Sequence, residues 1–319
     1  MAMVETARGP VDTDALGTTL MHEHVFVRTE EVQLNYPAGW DEDERVDDAI
    51  LKLNALAKRG CETIVDPTVI GLGRDIGRII RVADGTSLNI IVATGLYTYN
   101  DVPFYFRYRG PRGDGLDPMA QLFIDDLTTG IAGTRVKAAF LKCAIDEPGM
   151  TPGVERVLRA VCQAHAETGA PVTVHTHPHS FTGRAVLDVL RAEKTDLSKV
   201  VLGHSGDTTD LDYLSELADA GCLLGMDRFG LDVITPFEDR VGTVAAMCER
   251  GYADRMVLSH DAACHIDWFP AEVIPRFAPA WNFEHLFDDV LPALRERGVT
   301  DSQIEAMLVD NPRRYFSAS

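Results

Sequence analysis

The sequence predicts an α/β protein in which a single (β/α)8 barrel domain spans residues 1–319, with a short N-terminal extension and a C-terminal helix. Three observations lead to this prediction. The length suits one barrel, short apolar runs alternate with helical patterns along the whole chain, and there are eight such runs. Apolar strands alternating with helices are typical of a parallel sheet covered by helices. A doubly wound open sheet is the alternative.

The strand predictions share a short apolar run without long polar interruption. They cover residues 18–27, 62–69, 88–97, 136–145, 170–178, 199–206, 222–229 and 255–262. Helical period and end signals predict helices at 43–60, 151–170, 207–221, 236–251 and 301–316. We expect the last of these to be capped by Asp301 and to end near Asn311 and Pro312. The first 16 residues carry turn signals and are expected to cover one barrel end.

The overall charge and composition exclude several classes of partner. A formal net charge of −19 argues against nucleic acid and against an anionic membrane surface, because phosphate binding needs a basic face. The sequence shows neither a secretory signal nor an apolar run of about 18 residues. The six cysteines are scattered, and we expect buried free thiols and a cytoplasmic protein. The glycines of residues 71–77 have neither the dinucleotide nor the Walker spacing.

Polar residues with metal-ligand chemistry collect at the carboxyl ends of the predicted strands, where barrel enzymes carry their reactive groups. These residues are His22, His24, Lys142, His175, His204 and Asp261. None of these residues alone indicates a metal site, but their shared location at the strand ends does.

His22 and His24 are two positions apart, so their side chains point to one face of a strand while Glu23 points to the other. Two buried imidazoles need partners. A divalent metal bound by neutral ring nitrogens is one solution. Hydrogen bonds to loop carbonyls are the alternative for an isolated pair, and the further ligand-type residues favour the metal.

Two other positions require a choice between neighbours. His175 lies inside its strand, whereas His177 shares its face but follows the strand, so His175 is the preferred ligand. His260 and Asp261 face opposite ways, and we choose Asp261 because a carboxylate completes a mixed site of nitrogen and oxygen ligands. His165 and His285 fall in or near helices and are expected to be structural or surface residues.

Lys142 is a long cation in an apolar strand, and three interpretations compete. It could be a structural lysine that extends its amine to water, a Schiff-base nucleophile, or a lysine that has reacted with CO2 to become an anionic carbamate. Burial would favour the neutral amine that both reactions need. The many imidazoles favour the carbamate, because a two-metal site needs a bridging anion and a Schiff-base enzyme has no use for so many histidines.

Aromatic residues at or after the ends of three of the predicted strands predict a substrate wall. The candidate substrate-binding residues are Tyr97, Tyr99, Phe104, Phe229 and Trp268. Trp268 belongs to the long segment 263–283 after the last predicted strand, and a long loop at this end of a barrel is usually a lid or wall.

Six motifs together resemble the phosphotriesterase family of the amidohydrolase superfamily, and within it most of all the phosphotriesterase-like lactonases known for quorum quenching. The motifs are "LMHEHVFV", "FLKCAIDEPG", "VHTHPH", "VLGHSGD", "GMDRFGLD" and "LSHDAAC". The resemblance runs over nearly the whole chain. It departs from true phosphotriesterases at Arg228, where those enzymes carry a histidine linked to an aspartate that matches Asp207.

The resemblance implies two divalent metal ions, with zinc favoured and cobalt, iron or manganese as alternatives. His22, His24 and Asp261 would hold the more buried ion, His175 and His204 the more exposed one, and carboxylated Lys142 would bridge them beside a hydroxide. That hydroxide would open lactone rings, N-acyl-homoserine lactones above all, with weak hydrolysis of organophosphate triesters. Asp261, Tyr97 and Arg228 are the candidate catalytic residues, and a homodimer is expected.

Three other functions remain open from the sequence. The chain could be a dedicated phosphotriesterase or another carboxylic-ester hydrolase, or more remotely a Schiff-base lyase that uses Lys142. A barrel that only binds ligands is the non-catalytic alternative.

Overall fold

Eight parallel strands form a nearly closed barrel, which confirms the predicted fold class. The computed structural model describes residues 2–37, 39–110, 115–270 and 272–317. In chain order its strands are β1 (Met3–Thr6), β2 (Gly9–Asp12), β3 (Thr19–Leu20), β4 (His24–Val27), β5 (Thr63–Asp66), β6 (Asn89–Gly95), β7 (Phe140–Ile145), β8 (Val172–Thr176), β9 (Val200–Gly203), β10 (Leu223–Met226), β11 (Met256–Leu258) and β12 (Ala263–Ile266). The barrel order is β3, β5, β6, β7, β8, β9, β10, β11. Across the remaining seam Met21 N donates to Leu258 O at 3.5 Å.

The first predicted strand, 18–27, is broken in the structure. β3 belongs to the barrel, whereas β4 pairs with β12 in a separate two-stranded sheet above it. The ladder is interrupted between them because the Ser259 hydroxyl, rather than a strand carbonyl, accepts the hydrogen bond from His22 N (2.9 Å). The break places His22 and Glu23 directly after β3, beside the segment that follows β11.

Helices cover the outside of the barrel. They are α1 (Glu30–Asn35), α2 (Glu42–Ala57), α3 (Ile76–Asp84), α4 (Phe104–Arg107), α5 (Pro118–Thr128), α6 (Pro152–Thr168), α7 (Thr182–Ala192), α8 (Leu211–Asp219), α9 (Phe237–Glu249), α10 (Ile274–Phe277), α11 (Leu291–Glu296), α12 (Asp301–Glu305) and α13 (Asn311–Phe316). The helix predicted at 151–170 begins after the Thr151 side-chain cap and ends at Gly169, whose φ of 70° suits a residue without a Cβ.

The predicted end of the last helix is wrong. Thr300, not Asp301, caps α12, in a reciprocal pair of side-chain hydrogen bonds with Gln303. The chain then continues through a π-turn, Ala306–Asp310, into α13, which extends to Phe316. Pro312 follows these π-helical residues in the first turn of α13, a position where proline is tolerated, and the helix continues to Phe316.

The N-terminal segment closes one end of the barrel, as the sequence predicts. Val4 and Leu16 belong to the buried apolar cluster inside the barrel, together with Tyr315 and Phe316 of α13. The Tyr315 hydroxyl shares a buried 2.9 Å hydrogen bond with Thr173 Oγ1 of β8. This end is therefore filled by side chains, and the opposite end, where the strands terminate, is left for the site.

Two smaller predictions can also be compared with the structure. All six cysteines are buried and free. Across the described ranges, none of the helices combines the length and the apolar character that crossing a bilayer requires.

Replacing Asn311 with alanine should destabilise the barrel. Asn311 is fully buried, and its Nδ2 donates to Ala253 O (2.9 Å) and Met256 O (2.7 Å) at the start of β11. The variant leaves two buried carbonyls without these donors, so we expect the free energy of unfolding to fall by about 2–4 kcal/mol. Denaturant unfolding measures it. Gln121→Ala, which removes only an exposed contact to Asp125, is the control and should change stability by less than about 0.5 kcal/mol.

Candidate metal centre and cavity

The six predicted ligand residues lie together on one cavity of about 220 Å³ at the carboxyl end of the barrel. Five of the six are buried, and Asp261 is largely buried. The remaining lining is mostly apolar and aromatic, from Val27, Leu72, Tyr97, Tyr99, Arg228, Leu231, Val233, Ile234, Ala263, Ile266, Trp268, Phe269, Phe277 and Trp281. A larger cavity of about 810 Å³ lies beside it around Trp40, but none of the six lines that space.

His22, His24 and Asp261 form one compact donor group. Asp261 Oδ1 lies 3.3 Å from Nε2 of both histidines. The three donor atoms fall within 4.8 Å of one another, which is a spacing that could hold a metal ion. Burial, aided by nearby Lys142, lowers the pKa of His22, so its ring is neutral and offers a lone pair.

His24 differs from His22 in its proton affinity. Burial opposes its protonation, but hydrogen bonds to Asp261 and Asp66 prevail and raise its pKa to about 9. A cation that binds His24 Nε2 would therefore have to displace a proton, as metal binding to histidine generally does.

His175 and His204 form a second donor group, in which two ring nitrogens face each other. His204 Nε2 and His175 Nδ1 lie 2.8 Å apart. Burial lowers both pKa values, that of His175 to about 4, so both rings are neutral. The proton of His204 is on Nδ1, which donates to Asp227, and that of His175 is on Nε2, which faces Asp146. Two lone pairs thus converge, and a cation between or beside them would remove the repulsion.

Asp227 is the main residue that sequence reasoning missed. Its Oδ2 accepts from His22 Nδ1 and its Oδ1 from His204 Nδ1, both at 3.0 Å, so it turns both Nε2 atoms toward the cavity. Gly225 makes this possible, since a Cβ there would lie 2.4 Å from the Asp227 carboxylate. The available signal was a carboxylate at the end of the apolar strand β10.

The other two imidazoles also have partners behind them. His24 Nδ1 donates to Thr68 Oγ1 (2.7 Å), whose hydroxyl donates to Asp66 Oδ1 (2.5 Å). His175 Nε2 contacts Asp146. Each predicted histidine therefore has one nitrogen fixed by a polar partner and one directed inward, which is the usual arrangement of metal-binding histidines.

Lys142 reaches the centre of the six residues. Its Nζ lies 3.4 Å from His22 Nε2, and the residue is almost fully buried. Burial lowers its pKa to about 8, so the neutral amine is readily available. Gly95 on β6 allows the strands to approach here, because at its φ of 147° a Cβ would lie 1.8 Å from Lys142 O.

Arg228 joins two carboxylates at the cavity edge. Its Nε donates to Asp261 Oδ2 and its Nη1 to Asp207 Oδ2, both at 2.9 Å. The two carboxylates prevail over burial and raise the pKa of Arg228, which remains a cation. Asp207 Oδ1 in turn pairs with buried Arg240 at 2.7 Å. Asp261 is therefore held as a carboxylate in a chain of alternating charges.

The predicted aromatic wall is partly present. Tyr97, Tyr99 and Trp268 line the cavity, with the Tyr97 and Tyr99 hydroxyls hydrogen-bonded to each other. Tyr97 OH lies 3.5 Å from His175 Nδ1. Burial raises the pKa of Tyr97 well above its ordinary value, so its hydroxyl keeps its proton and can donate a hydrogen bond to a ligand.

Two predicted substrate-binding residues are not on the cavity wall. Phe229 is only 1% exposed and packs in the core, because the chain turns after β10 and presents Leu231, Val233 and Ile234 instead. Phe104 is 72% exposed on α4 and stacks on Tyr108, outside the cavity. Both corrections depend on the path of a loop, which strand periodicity does not predict.

The alternative histidines lie elsewhere. His177 directly precedes a short helical turn, and its Nδ1 lies 2.8 Å from Ser180 Oγ. His265 faces the neighbouring larger cavity and packs edge-on against Trp40. His260 is buried and directed away from the cavity toward Glu23.

Comparison with known proteins yields consistent matches. The sequence pattern of the "Phosphotriesterase family" matches residues 2–316. An "Aryldialkylphosphatase" of Saccharolobus solfataricus is 40% identical, covering 96% of this chain and 97% of its own. The solved "Structure of the phosphotriesterase from Mycobacterium tuberculosis" is 59% identical, with a TM-score of 0.97 and coverage of 99% and 98%. A structure from "Molecular Engineering of Organophosphate Hydrolysis Activity from a Weak Promiscuous Lactonase Template" is 31% identical, with a TM-score of 0.91 and coverage of 99% and 100%.

Proposed function

Because the chain belongs to the phosphotriesterase family of metal-dependent hydrolases, we propose that it opens lactone rings and that N-acyl-homoserine lactones are its preferred class. The observation that favours lactones over phosphotriesters is the set of residues at the edge of the cavity. Arg228 holds Asp261 where a triesterase would carry a histidine, and an apolar wall adjoins the donor groups. A small lactone ring with a single acyl tail suits a cavity of about 220 Å³ with one apolar side.

The proposed cofactor is a pair of divalent cations. His22, His24 and Asp261 would hold one and His175 and His204 the other, with Lys142 as a carbamate between them. The converging lone pairs of His175 and His204 support this assignment. Bound there, the cations would supply an activated water at neutral pH and polarise the scissile bond.

The chain's own residues would orient the substrate, transfer the proton and exclude water. Tyr97, which keeps its proton, would donate a hydrogen bond to an oxygen of the lactone. Asp261 would accept the proton of the attacking water and return it to the alkoxide that leaves when the ring opens. Arg228 donates a hydrogen bond to Asp261 and keeps its carboxylate oriented. The apolar residues around them would exclude bulk water.

A substrate panel tests this proposal. Protein reconstituted with zinc or cobalt would be assayed on N-acyl-homoserine lactones of increasing acyl length, simple γ- and δ-lactones, and an aryl dialkyl phosphate. We expect kcat/KM for the best lactone to exceed that for the triester by about 100-fold, or about 2.7 kcal/mol in transition-state stabilisation. A triester that is turned over faster than every lactone would show a dedicated phosphotriesterase. Covalent trapping of a carbonyl substrate on Lys142 by borohydride would show a lyase.

Trp268→Ala should weaken the binding of long acyl chains. Trp268 is 46% exposed and lies 6.4 Å from the Tyr97 ring, ring centre to ring centre, on the cavity wall. Losing its apolar surface should raise KM for long-chain lactones about 5- to 10-fold, or about 1–1.4 kcal/mol, with little change for short chains. Steady-state kinetics across acyl lengths measure the difference. Phe104→Ala, which lies outside the cavity, is the matched control and should leave every KM unchanged.

A further inference from the structure

Glu23 is a fully buried carboxylate that points away from the cavity, between two proposed ligands. Its Oε1 accepts from Ser259 Oγ (3.0 Å), His260 N (2.9 Å) and His260 Nδ1 (2.5 Å). Its Oε2 accepts from Ala262 N (3.0 Å). All four donors belong to the short stretch that follows β11, so the Glu23 carboxylate, between β3 and β4, binds the segment that leaves the last barrel strand.

The two backbone amides that donate to Glu23, those of His260 and Ala262, lie on either side of Asp261. This residue has a φ of 56°, a left-handed backbone conformation that costs a residue with a Cβ on the order of 1–3 kcal/mol. Asp261 N itself donates to His22 O (3.0 Å). With the flanking amides fixed on Glu23, the Asp261 side chain projects to the opposite side, into the cavity.

His260 extends this connection to the cavity wall. Its Nε2 accepts from Leu286 N (2.9 Å), so the ring proton is on Nδ1 and is donated to Glu23. Its carbonyl accepts from Trp281 Nε1 (2.9 Å), and Trp281 lines the cavity. The carboxylate thus ties together Asp261 and the far end of the segment that forms the proposed acyl wall.

We propose that Glu23 is a positioning residue for the reaction: it stabilises the left-handed backbone of Asp261 and so fixes the carboxylate in register with His22 and His24. The inference rests on the role proposed for Asp261. Glutamate is required because both oxygens must accept. A glutamine of the same shape would direct an NH2 group at one of the N–H donors, and an aspartate is too short to span both amides.

Glu23→Gln tests the proposal with three measurements. Amide hydrogen exchange at residues 260–262 of the metal-free protein should become faster, because one of the two amides then faces an NH2 group and the other keeps only a neutral acceptor. Zinc affinity, measured by competition with a chelator, should fall about 10- to 100-fold. The kcat for lactone should fall by a similar factor, while KM changes by less than about 3-fold. Should this variant not fold, Glu23→Asp, which keeps the charge, should give the same three changes.

Asp126→Asn is the matched control. Asp126 is also a buried carboxylate, which accepts from Thr94 Oγ1 (2.6 Å) and pairs with Arg74 (2.8 Å), but it lies outside the cavity. It should lower thermal stability and leave zinc affinity and kcat unchanged. Equal losses of kcat in both variants would reduce Glu23 to a purely structural role.

Two outcomes separate this inference from the proposed function. Unchanged exchange at residues 260–262, or unchanged zinc affinity and kcat in Glu23→Gln, overturns the positioning role. Asp261→Asn addresses the proposed function alone, because it removes the carboxylate and leaves Glu23 and its four donors in place. If Asp261→Asn kept full activity, the role of Asp261 itself would be wrong, whatever the exchange at its neighbours showed.

Discussion

Replacing His22 with alanine should abolish most of the activity and reduce the metal content. His22 Nε2 faces both Lys142 Nζ (3.4 Å) and Asp261 Oδ1 (3.3 Å), so it is the imidazole nearest the centre of the donor set. Its loss also removes one of the two ring N–H groups that fix Asp227. We expect kcat/KM to fall by about 1,000-fold or more, or about 4 kcal/mol, together with loss of bound metal.

Steady-state kinetics and elemental analysis of the same preparation measure both effects. His165→Ala is the matched control, because His165 is a buried histidine on α6 whose ring bonds Ala170 O (2.8 Å) and Asp196 N (3.3 Å), far from the cavity. It should retain metal and kcat while losing stability. If His22→Ala kept its metal and its rate, the assignment of the site would be wrong.

Activity should depend on CO2 through Lys142. The neutral amine would attack CO2, forming a carbon–nitrogen bond and releasing one proton, to give the anionic carbamate that the two cations need. Metal-free protein reloaded with zinc in CO2-depleted buffer should therefore recover little activity until bicarbonate is added. Lys142→Met should remain at least about 1,000-fold below the wild type, because methionine cannot form the proposed carbamate.

The pH dependence of this recovery has a definite sign. Burial lowers the pKa of Lys142 to about 8, so the amine is mostly protonated and unreactive below that pH. At constant dissolved CO2, the rate of recovery should rise as the pH increases toward about 8 and level off above it. Full recovery without CO2, or recovery of Lys142→Met on addition of bicarbonate, would contradict the carbamate.

The positions of the proposed ligands could be predicted from the sequence because the geometry of a barrel determines where its strand ends lie. Eight apolar strands in parallel bring their carboxyl ends to one rim, so a polar residue at the end of each reaches a common cavity. Strand alternation also separated His22 and His24 from Glu23, and Asp261 from His260. The structure places each of these side chains on the expected face.

The residues behind the imidazoles could not be predicted in the same way. Asp227, Thr68 and Asp146 act through ring nitrogens that point outward from the cavity, and which residue each nitrogen meets depends on rotamers and on the spacing of neighbouring strands. Phe104 and Phe229 show the same limit, since both follow a strand end and their direction is set by the loop. The hydrogen bonds of Glu23 to the residues around Asp261 could not be predicted either, because Glu23 and His260 are 237 positions apart in sequence.

The central claim is that two divalent cations and a carbamate on Lys142 occupy the cavity of the active protein. Anomalous X-ray diffraction from crystals of active, zinc-reconstituted protein, combined with elemental analysis, tests it most directly. We expect about two metal ions per chain, one beside His22, His24 and Asp261 and one beside His175 and His204, with additional density on Lys142 Nζ. An active protein with an unmodified Lys142 and no metal at these residues would contradict it.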